Sequence, residues 1–260
     1  MERKMDMEKL RLLADSRQLR ELREALSNLP AVDVAQFLGE LKPETALLVY
    51  RTLPKEQASE VFSELDSDLQ QVIIGSITDA ELGEIMEDLY VDDAVDLLEE
   101  LPANVVKRVL RSARPETRAL INQFLQYPEN SAGSLMTAEF TDLRAEMTVM
   151  QAIEHIRRTG EDRETIYTCY VIDSVRRLEG VVTVKDLLLA PDGMLVRDLM
   201  NRDVISVSTR EDQEVAARLM NKYDYLSLPV VDDENRLVGI ITVDDAMDVM
   251  QEEALSLIHI

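Results

Sequence analysis

The chain has 260 residues, 46% of them hydrophobic, and a formal net charge of −23 from 51 acids against 28 bases. Such a balance repels nucleic acid and anionic membrane surfaces and favours cations or basic partners. A single cysteine, Cys169, excludes an internal disulfide, and two histidines, His155 and His259, are too few for a zinc site or a histidine-centred triad.

The N-terminal half opens on a predicted helix from about Glu8 to Arg23. A ladder of apolar residues at an interval of twelve follows: Leu29, Leu41, Leu53, Leu65, Ile77, Leu89 and Leu101. Twelve residues fit one short helix and a turn, so the ladder predicts a stacked α-helical superhelix whose units bury their faces against neighbours. Pro30, Pro43, Pro54, Asp66, Asp79, Asp92 and Pro102 open the units. Proline and aspartate suit a first helical turn, because proline has no N–H to lose there and aspartate caps free N–H groups. Pro115 starts the last unit, and Tyr127-Pro-Glu-Asn-Ser-Ala-Gly133 reads as a linker.

Beyond Leu135 the period changes. The sequence predicts a helix over Met147–Arg158, strands over Thr165–Ile172 and Leu178–Thr183, and a helix from Val184 to Leu189. The order then recurs: a helix over Gln213–Asn221, strands over Leu226–Val231 and Leu237–Thr242, and a helix over Val243–Met250. Asp173, Gly180, Thr183 and Asp186 repeat as Asp232, Gly239, Thr242 and Asp245 at an offset of 59, whereas Ala152 repeats as Ala216 at 64.

The acids group by helical spacing. Asp92 and Asp96 share one face of a helix, and so do Asp245 and Asp248, while Glu214 and Asp224 bracket another helix. Like charges at ~6 Å repel by roughly 2–3 kcal/mol at an effective dielectric near 20. A divalent cation reverses that sign, and magnesium needs only a few carboxylates because it keeps several waters. The plainer alternative is that first-turn acids only cap helices and favour the macrodipole. Tyr167, Tyr170, Tyr223 and Tyr225 are expected at module edges or a dimer interface, and Cys169 in a buried strand. No nucleophile–base pair stands out, so the chain reads as a non-enzyme.

Gly180-Val-Val-Thr-Val-Lys-Asp186 and Gly239-Ile-Ile-Thr-Val-Asp-Asp245 resemble the closing motif of cystathionine-β-synthase (CBS) domains, which pair into one disc. With the acidic helical repeats ahead and Ser131-Ala-Gly-Ser-Leu-Met-Thr137 between, nearly the whole chain, as far as Ala254, resembles the cytosolic part of the MgtE family of magnesium channels. The resemblance implies an all-α superhelical domain over residues 1–130 and an α/β tandem CBS pair over 131–197 and 198–252. Residues 253–260 would be the start of a connecting helix or an appended tail. It further implies Mg2+ at Glu60, Asp92, Asp96, Glu214, Asp224, Asp245 and Asp248, with backbone oxygens near Gly133 and Ser134 and at Asn221; Ser134 replaces the family's glycine. ATP is the second expected ligand, with Thr183, Lys185 and Asp186 on ribose and phosphate and Tyr225 for stacking, although Thr168 stands where an aromatic would help. The expected function is sensing of cytosolic magnesium by a homodimer joined to a membrane pore domain of the same polypeptide, with no nucleic-acid partner. This chain itself would be soluble and lie at the cytoplasmic face of the cell membrane, because no window approaches the ~20 apolar residues of a membrane span and Met-Glu-Arg-Lys-Met-Asp is no signal peptide. The rival reading is a stand-alone CBS-pair sensor of adenine nucleotides.

Overall fold

The structure, a computed structural model, describes the backbone of residues 2–258 and the side chains of residues 7–254 other than 56 and 252. The chain divides into two units, Met1–Leu89 with Asp93–Ala119, and Tyr90–Asp92 with Leu120–Ile260.

The first unit is all helical. The single leading helix expected from the sequence is two: α1 (Glu2–Asp15) and α2 (Leu19–Leu26). Arg17 turns left-handed at φ 55°, and the N–H of Gln18 reaches back to the carbonyl of Leu13 at 2.9 Å. The break lets α1 fold back on α2, so that Leu10, Leu13, Leu22 and Leu26 are all buried. A straight helix would carry Leu10 and Leu26 too far apart for one core.

The twelve-residue ladder becomes α3 (Ala31–Gly39), α4 (Pro43–Tyr50), α5 (Lys55–Ser63), α6 (Ser67–Ser76), α7 (Asp79–Asp88), α8 (Val91–Glu100), α9 (Ala103–Ser112) and α10 (Pro115–Phe124). Each ladder residue follows the last turn of its helix; Leu53, Leu65, Ile77 and Leu101 are buried there. Pro43 and Pro115 occupy first helical positions, whereas Pro30, Pro54 and Pro102 stand one residue earlier. Asp66 caps α6 by accepting the N–H of Leu69 at 2.8 Å. Asp79, in contrast, is not the cap of α7. Thr78 is, in a reciprocal box with Glu81 whose two bonds hold the Glu81 carboxyl below its ordinary range.

Alternate helices stack: α3 on α5, α5 on α7, α7 on α9, and α4 on α6. Polar pairs about two units apart tie the stack, as in Lys55–Glu84 at 3.3 Å and Ser59–Asp88 at 2.9 Å. Arg108 ties three points at once. Its guanidinium donates to Asp79 at 2.7 Å and to the carbonyls of Ile74 and Ile77 at 2.5 and 2.6 Å, joining α9 to the end of α6 and the start of α7. The bond from Arg108 holds the Asp79 carboxyl below its usual range. Arg108→Ala is expected to destabilise the chain by about 2–3 kcal/mol, because two carbonyls lose a charged donor. Arg108→Lys should recover only part, since an ammonium lacks the fork. Thermal unfolding followed by circular dichroism checks both; equal melting of parent and Arg108→Ala would remove this tie from the account.

The second unit contains two copies of one α/β motif. Copy one comprises α11 (Ala132–Leu135), β1 (Phe140–Leu143), α12 (Val149–Thr159), β2 (Thr165–Ile172), β3 (Leu178–Thr183) and α13 (Val184–Leu189). Copy two comprises α14 (Val196–Leu199), β4 (Val207–Ser208), α15 (Gln213–Tyr223), β5 (Ser227–Val231), β6 (Leu237–Thr242) and α16 (Val243–Ile258). Each sheet has one parallel and one antiparallel pairing, in the orders β1-β2-β3 and β4-β5-β6. Registers repeat: Tyr170 faces Val181 as Pro229 faces Ile240. β1 and β4 escaped sequence reading because strands of four and two residues carry no periodicity.

The copies are interlocked. Thr137, ahead of the first sheet, exchanges backbone bonds of 2.8 and 2.9 Å with Ile240 of β6; Asn201, ahead of the second, does the same with Val181 of β3. The repeated aspartates Asp173 and Asp232 each accept two backbone N–H groups across the turns that precede β3 and β6. Those turns bond to one another through Leu178 N–H to Asn235 O and Leu237 N–H to Arg176 O.

Tyr170 corrects an expectation. It lies fully buried between the two sheets rather than at an edge, edge-on to Phe140 and with its hydroxyl 2.7 Å from Ser227 Oγ. Burial raises its pKa well above the ordinary tyrosine value. Cys169 is buried in β2 as expected, and burial pushes its thiol up to about 12, so it stays protonated.

Candidate functional site

The end of β3 leads into α13 through Thr183, and the end of β6 leads into α16 through Thr242. Both turns use the same local chemistry. The backbone N–H and hydroxyl of Thr183 bond Asp186 Oδ2, while Asp186 N–H returns a bond to Thr183 Oγ1 at 3.1 Å. Thr242 bonds Asp245 Oδ2 in the same way. The first Thr-x-x-Asp is thus a reciprocal helix cap, and the second repeats its bonds onto the aspartate.

Beside the first of these caps lies a cavity of about 800 Å³. Its walls come from β2 and β3, the start of α13, residues Asn201–Ile205, and the stretch Asp224–Pro229. Of the residues expected to hold a nucleotide, Thr183, Lys185 and Tyr225 line this cavity. Asp186 is exposed, with one carboxylate oxygen turned to Thr183, and is not a wall residue. Tyr225 is half-buried and stacked on Tyr223, ring centroids 5.6 Å apart and 23° between planes. Sequence reading missed Asn201 and Asp203. A signal was available: Leu199-Met200-Asn201 repeats Leu135-Met136-Thr137 at the same offset of 64 that relates the helices.

The residues expected to hold magnesium sit as follows. Glu60 is exposed on α5, and Asp92 and Asp96 share α8, the first half-buried and the second exposed. Glu214 opens α15 and pairs with Arg218 at 3.0 Å, which also approaches Glu253 at 3.9 Å. Asp224 closes α15 in the left-handed conformation, φ 54° and ψ 40°, one turn after the exposed Asn221. Asp248 is exposed on α16, and Ser134 is engaged in a reciprocal box with Ser131 that closes the turn of α11. Asp245 is half-buried at the start of α16; burial raises its carboxyl pKa, with Asp244 and Asp248 adding to the rise and the Thr242 bonds opposing it. Among the described residues, no three carboxylate, histidine or cysteine side chains gather in a group that could hold a metal ion. The hard oxygen donors present are of the kind magnesium takes.

The MgtE intracellular N domain matches residues 29–130, and the CBS domain matches residues 132–193 and 196–252. The chain is 40% identical to the crystallised cytosolic domain of the Mg2+ channel MgtE in complex with ATP, covering 94% of this chain and 99% of that one with a TM-score of 0.87. The chain belongs to the MgtE family. A second crystal structure, the soluble part of a magnesium transporter, matches with a TM-score of 0.89 at 30% identity, covering 96% of this chain and 99% of that one. The magnesium transporter MgtE of Thermus thermophilus is 40% identical over 244 residues, which make up 92% of this chain and 54% of that protein. The Bacillus subtilis transporter of the same name is 32% identical over 243 residues, 94% of this chain and 54% of that protein. The chain therefore spans about half the length of the curated MgtE relatives it matches. Its MgtE kin are transporter domains rather than enzymes, in line with the absence of a nucleophile–base pair in the sequence. Among the described residues, no helix is long and apolar enough to cross a membrane.

Proposed function

We propose that this MgtE chain is the cytosolic magnesium-sensing region of a magnesium channel or transporter, acting as a homodimer at the cytoplasmic face of the membrane and joined to a pore domain in the full-length polypeptide. The observation that carries the reading is the match along 94% of the chain to the cytosolic domain of an Mg2+ channel. Glu60, Asp92, Asp96, Glu214, Asp224, Asp245 and Asp248 supply carboxylates, and Ser134 and Asn221 supply backbone oxygens. Without magnesium the acidic faces repel; with it they bridge, the dimer compacts, and the compact state favours pore closure. Ligand binding shifts a population between two arrangements, and each ion contributes according to its preference for the compact one.

The second unit supports the dimer reading. The helix pair α15/α16 flanks a largely apolar groove of about 600 Å³, along which Val243, Met247 and Met250 are exposed. Exposed apolar area of this kind supports a partner surface, and the proposed occupant is a second copy of the chain. Light scattering in millimolar magnesium should give twice the 29.5 kDa chain mass. X-ray scattering should show a smaller radius of gyration on adding magnesium, with Asp92→Asn and Asp245→Asn each blunting the change. Identical curves with and without magnesium would leave these acids as helix caps and surface charge.

A second reading, an adenine-nucleotide sensor, is favoured by the cavity holding Thr183, Lys185 and Tyr225 together. The related MgtE cytosolic domain was crystallised with ATP. Thermal stabilisation by nucleotide in chelator, set against stabilisation by magnesium alone, separates the two readings.

A further inference from the structure

We infer that the stretch Tyr127–Gly133 is a clasp rather than a tether, and that the helical repeats move relative to the CBS pair by a pivot at the start of α10. The inference goes beyond magnesium sensing and does not depend on it.

The boundary between the two units falls inside α10, between Ala119 and Leu120, and not in the stretch that reads as a linker. Three backbone bonds sew that stretch to the residues between β4 and the first turn of α15. Gln213 N–H donates to Asn130 O at 3.0 Å, Ala132 N–H to Glu211 O at 2.7 Å, and Gly133 N–H to Thr209 O at 2.9 Å. Asn130 turns left-handed at φ 59° to enter this ladder. An aromatic ring bolts it. A Cβ at position 133 would lie 2.7 Å from Tyr127 Cγ and 2.8 Å from its Cδ1, so only glycine lets the ring lie there. The same ring meets Phe124, the buried last residue of α10, edge-on at 5.8 Å. Ladder and ring together make the tail of α10 one piece with the second unit.

The head of α10 is held differently, by one carboxylate of α7. Glu87 accepts from Arg114 N–H at 2.9 Å and from the Thr117 hydroxyl at 3.0 Å, with Arg114 Nη1 at 3.5 Å. Between head and tail, α10 carries no glycine and no proline after Pro115. It is a strut of about 15 Å with no kink site. Bonds gathered on a single carboxylate that water can reach open more readily than a backbone ladder under a packed ring. The head therefore yields first, and a change in the CBS pair reaches α10 without slack.

Spin-label distances on the whole chain in EDTA provide the test. Cys169 is buried and does not compete with introduced cysteines. The first label pair is Asn122→Cys with Asp192→Cys, and the second is Gln36→Cys with Asp192→Cys; all three positions are exposed. The first pair should give a narrow distribution and the second a broader one. Glu87→Ala should broaden the second pair alone, whereas Tyr127→Ala should broaden the first. Circular dichroism of both variants will show that the helices are kept. Hydrogen exchange of the parent is the independent measure. The amides of Ala132, Gly133 and Gln213 should exchange about a hundredfold slower, or more, than in an unstructured chain. A first pair as broad as the second in the parent, or unprotected amides at Ala132 and Gly133, overturns the clasp. A Glu87→Ala chain whose second pair matches the parent's overturns the pivot.

Discussion

Gly239→Ala lowers the melting temperature of the second unit by roughly 5–10 °C, the expected result of adding one methyl group where two backbones cross. A Cβ at position 239 would lie 2.6 Å from the carbonyl oxygen of Thr137 and 2.6 Å from Met136 Sδ. The sulfur can swing away, but the carbonyl is fixed by its part in the two bonds between Thr137 and Ile240. Either those bonds stretch or the two copies part. Overpacking typically costs about 1–3 kcal/mol; the clash with a fixed carbonyl puts this contact at the upper end, about 2–3 kcal/mol, and each kcal/mol moves the melting point of a unit this size by ~3 °C. Gly180→Ala should behave alike, because its Cβ would meet Asn201 O at 2.9 Å and Met200 Sδ at 2.8 Å. Gly193→Ala, which meets nothing within 4 Å, is the neutral control. Circular dichroism melts of the three variants settle the matter, and a Gly239→Ala protein that melts with the parent would contradict the close crossing.

Magnesium is expected to raise the melting temperature of the chain if the proposed sites bind it, and Asp245→Asn is expected to change that response in two opposite ways. A site at tenfold over its dissociation constant adds about 1.4 kcal/mol, so several sites together exceed the effect of most single substitutions. Asp245 gives the response a signature. Its folded pKa is raised by burial, with Asp244 and Asp248 nearby adding to the rise. A raised carboxyl pKa means the native state holds the proton more tightly than the unfolded one. Stability therefore falls as pH rises from the unfolded value to the raised folded value, and the penalty persists above that. Asparagine removes the charge while keeping an oxygen to accept from Thr242. In EDTA at neutral pH the variant should melt above the parent, and the gain should vanish below about pH 4, where the parent is protonated too. In magnesium the order should reverse, because the proposed site has a carboxylate in the parent and only an amide oxygen in the variant. Asp192→Asn, at an exposed loop position, serves as control. Asp173 does not, because its carboxylate closes a turn through two backbone bonds. A magnesium increment identical in parent and Asp245→Asn would take Asp245 out of the ligand set.

The sequence by itself determined the two halves and nearly all of their elements. The twelve-residue ladder is visible because each unit sets an apolar residue just past its helix end, buried at Leu53, Leu65, Ile77 and Leu101 and half-buried at the others, a local and repeated requirement. The 59-residue repeat is visible because Asp173, Thr183 and Asp186 do local work, capping turns and helices within four residues of themselves. Local hydrogen bonds need particular side chains at fixed spacing, so they leave motifs. The tertiary structure alone decided where α1 and α2 separate, since that break answers to a shared core rather than to a propensity. It alone showed Tyr170 at the centre, because a tyrosine in an alternating strand reads the same whether its face meets solvent or a second sheet. It alone brought Asn201 and Asp203 into the cavity with Lys185 and Tyr225. Those residues come from both copies of the repeat, and only the crossing of Thr137 onto β6 and Asn201 onto β3 makes them neighbours. Contacts between distant segments are set by packing, and packing leaves no spacing in the chain to read.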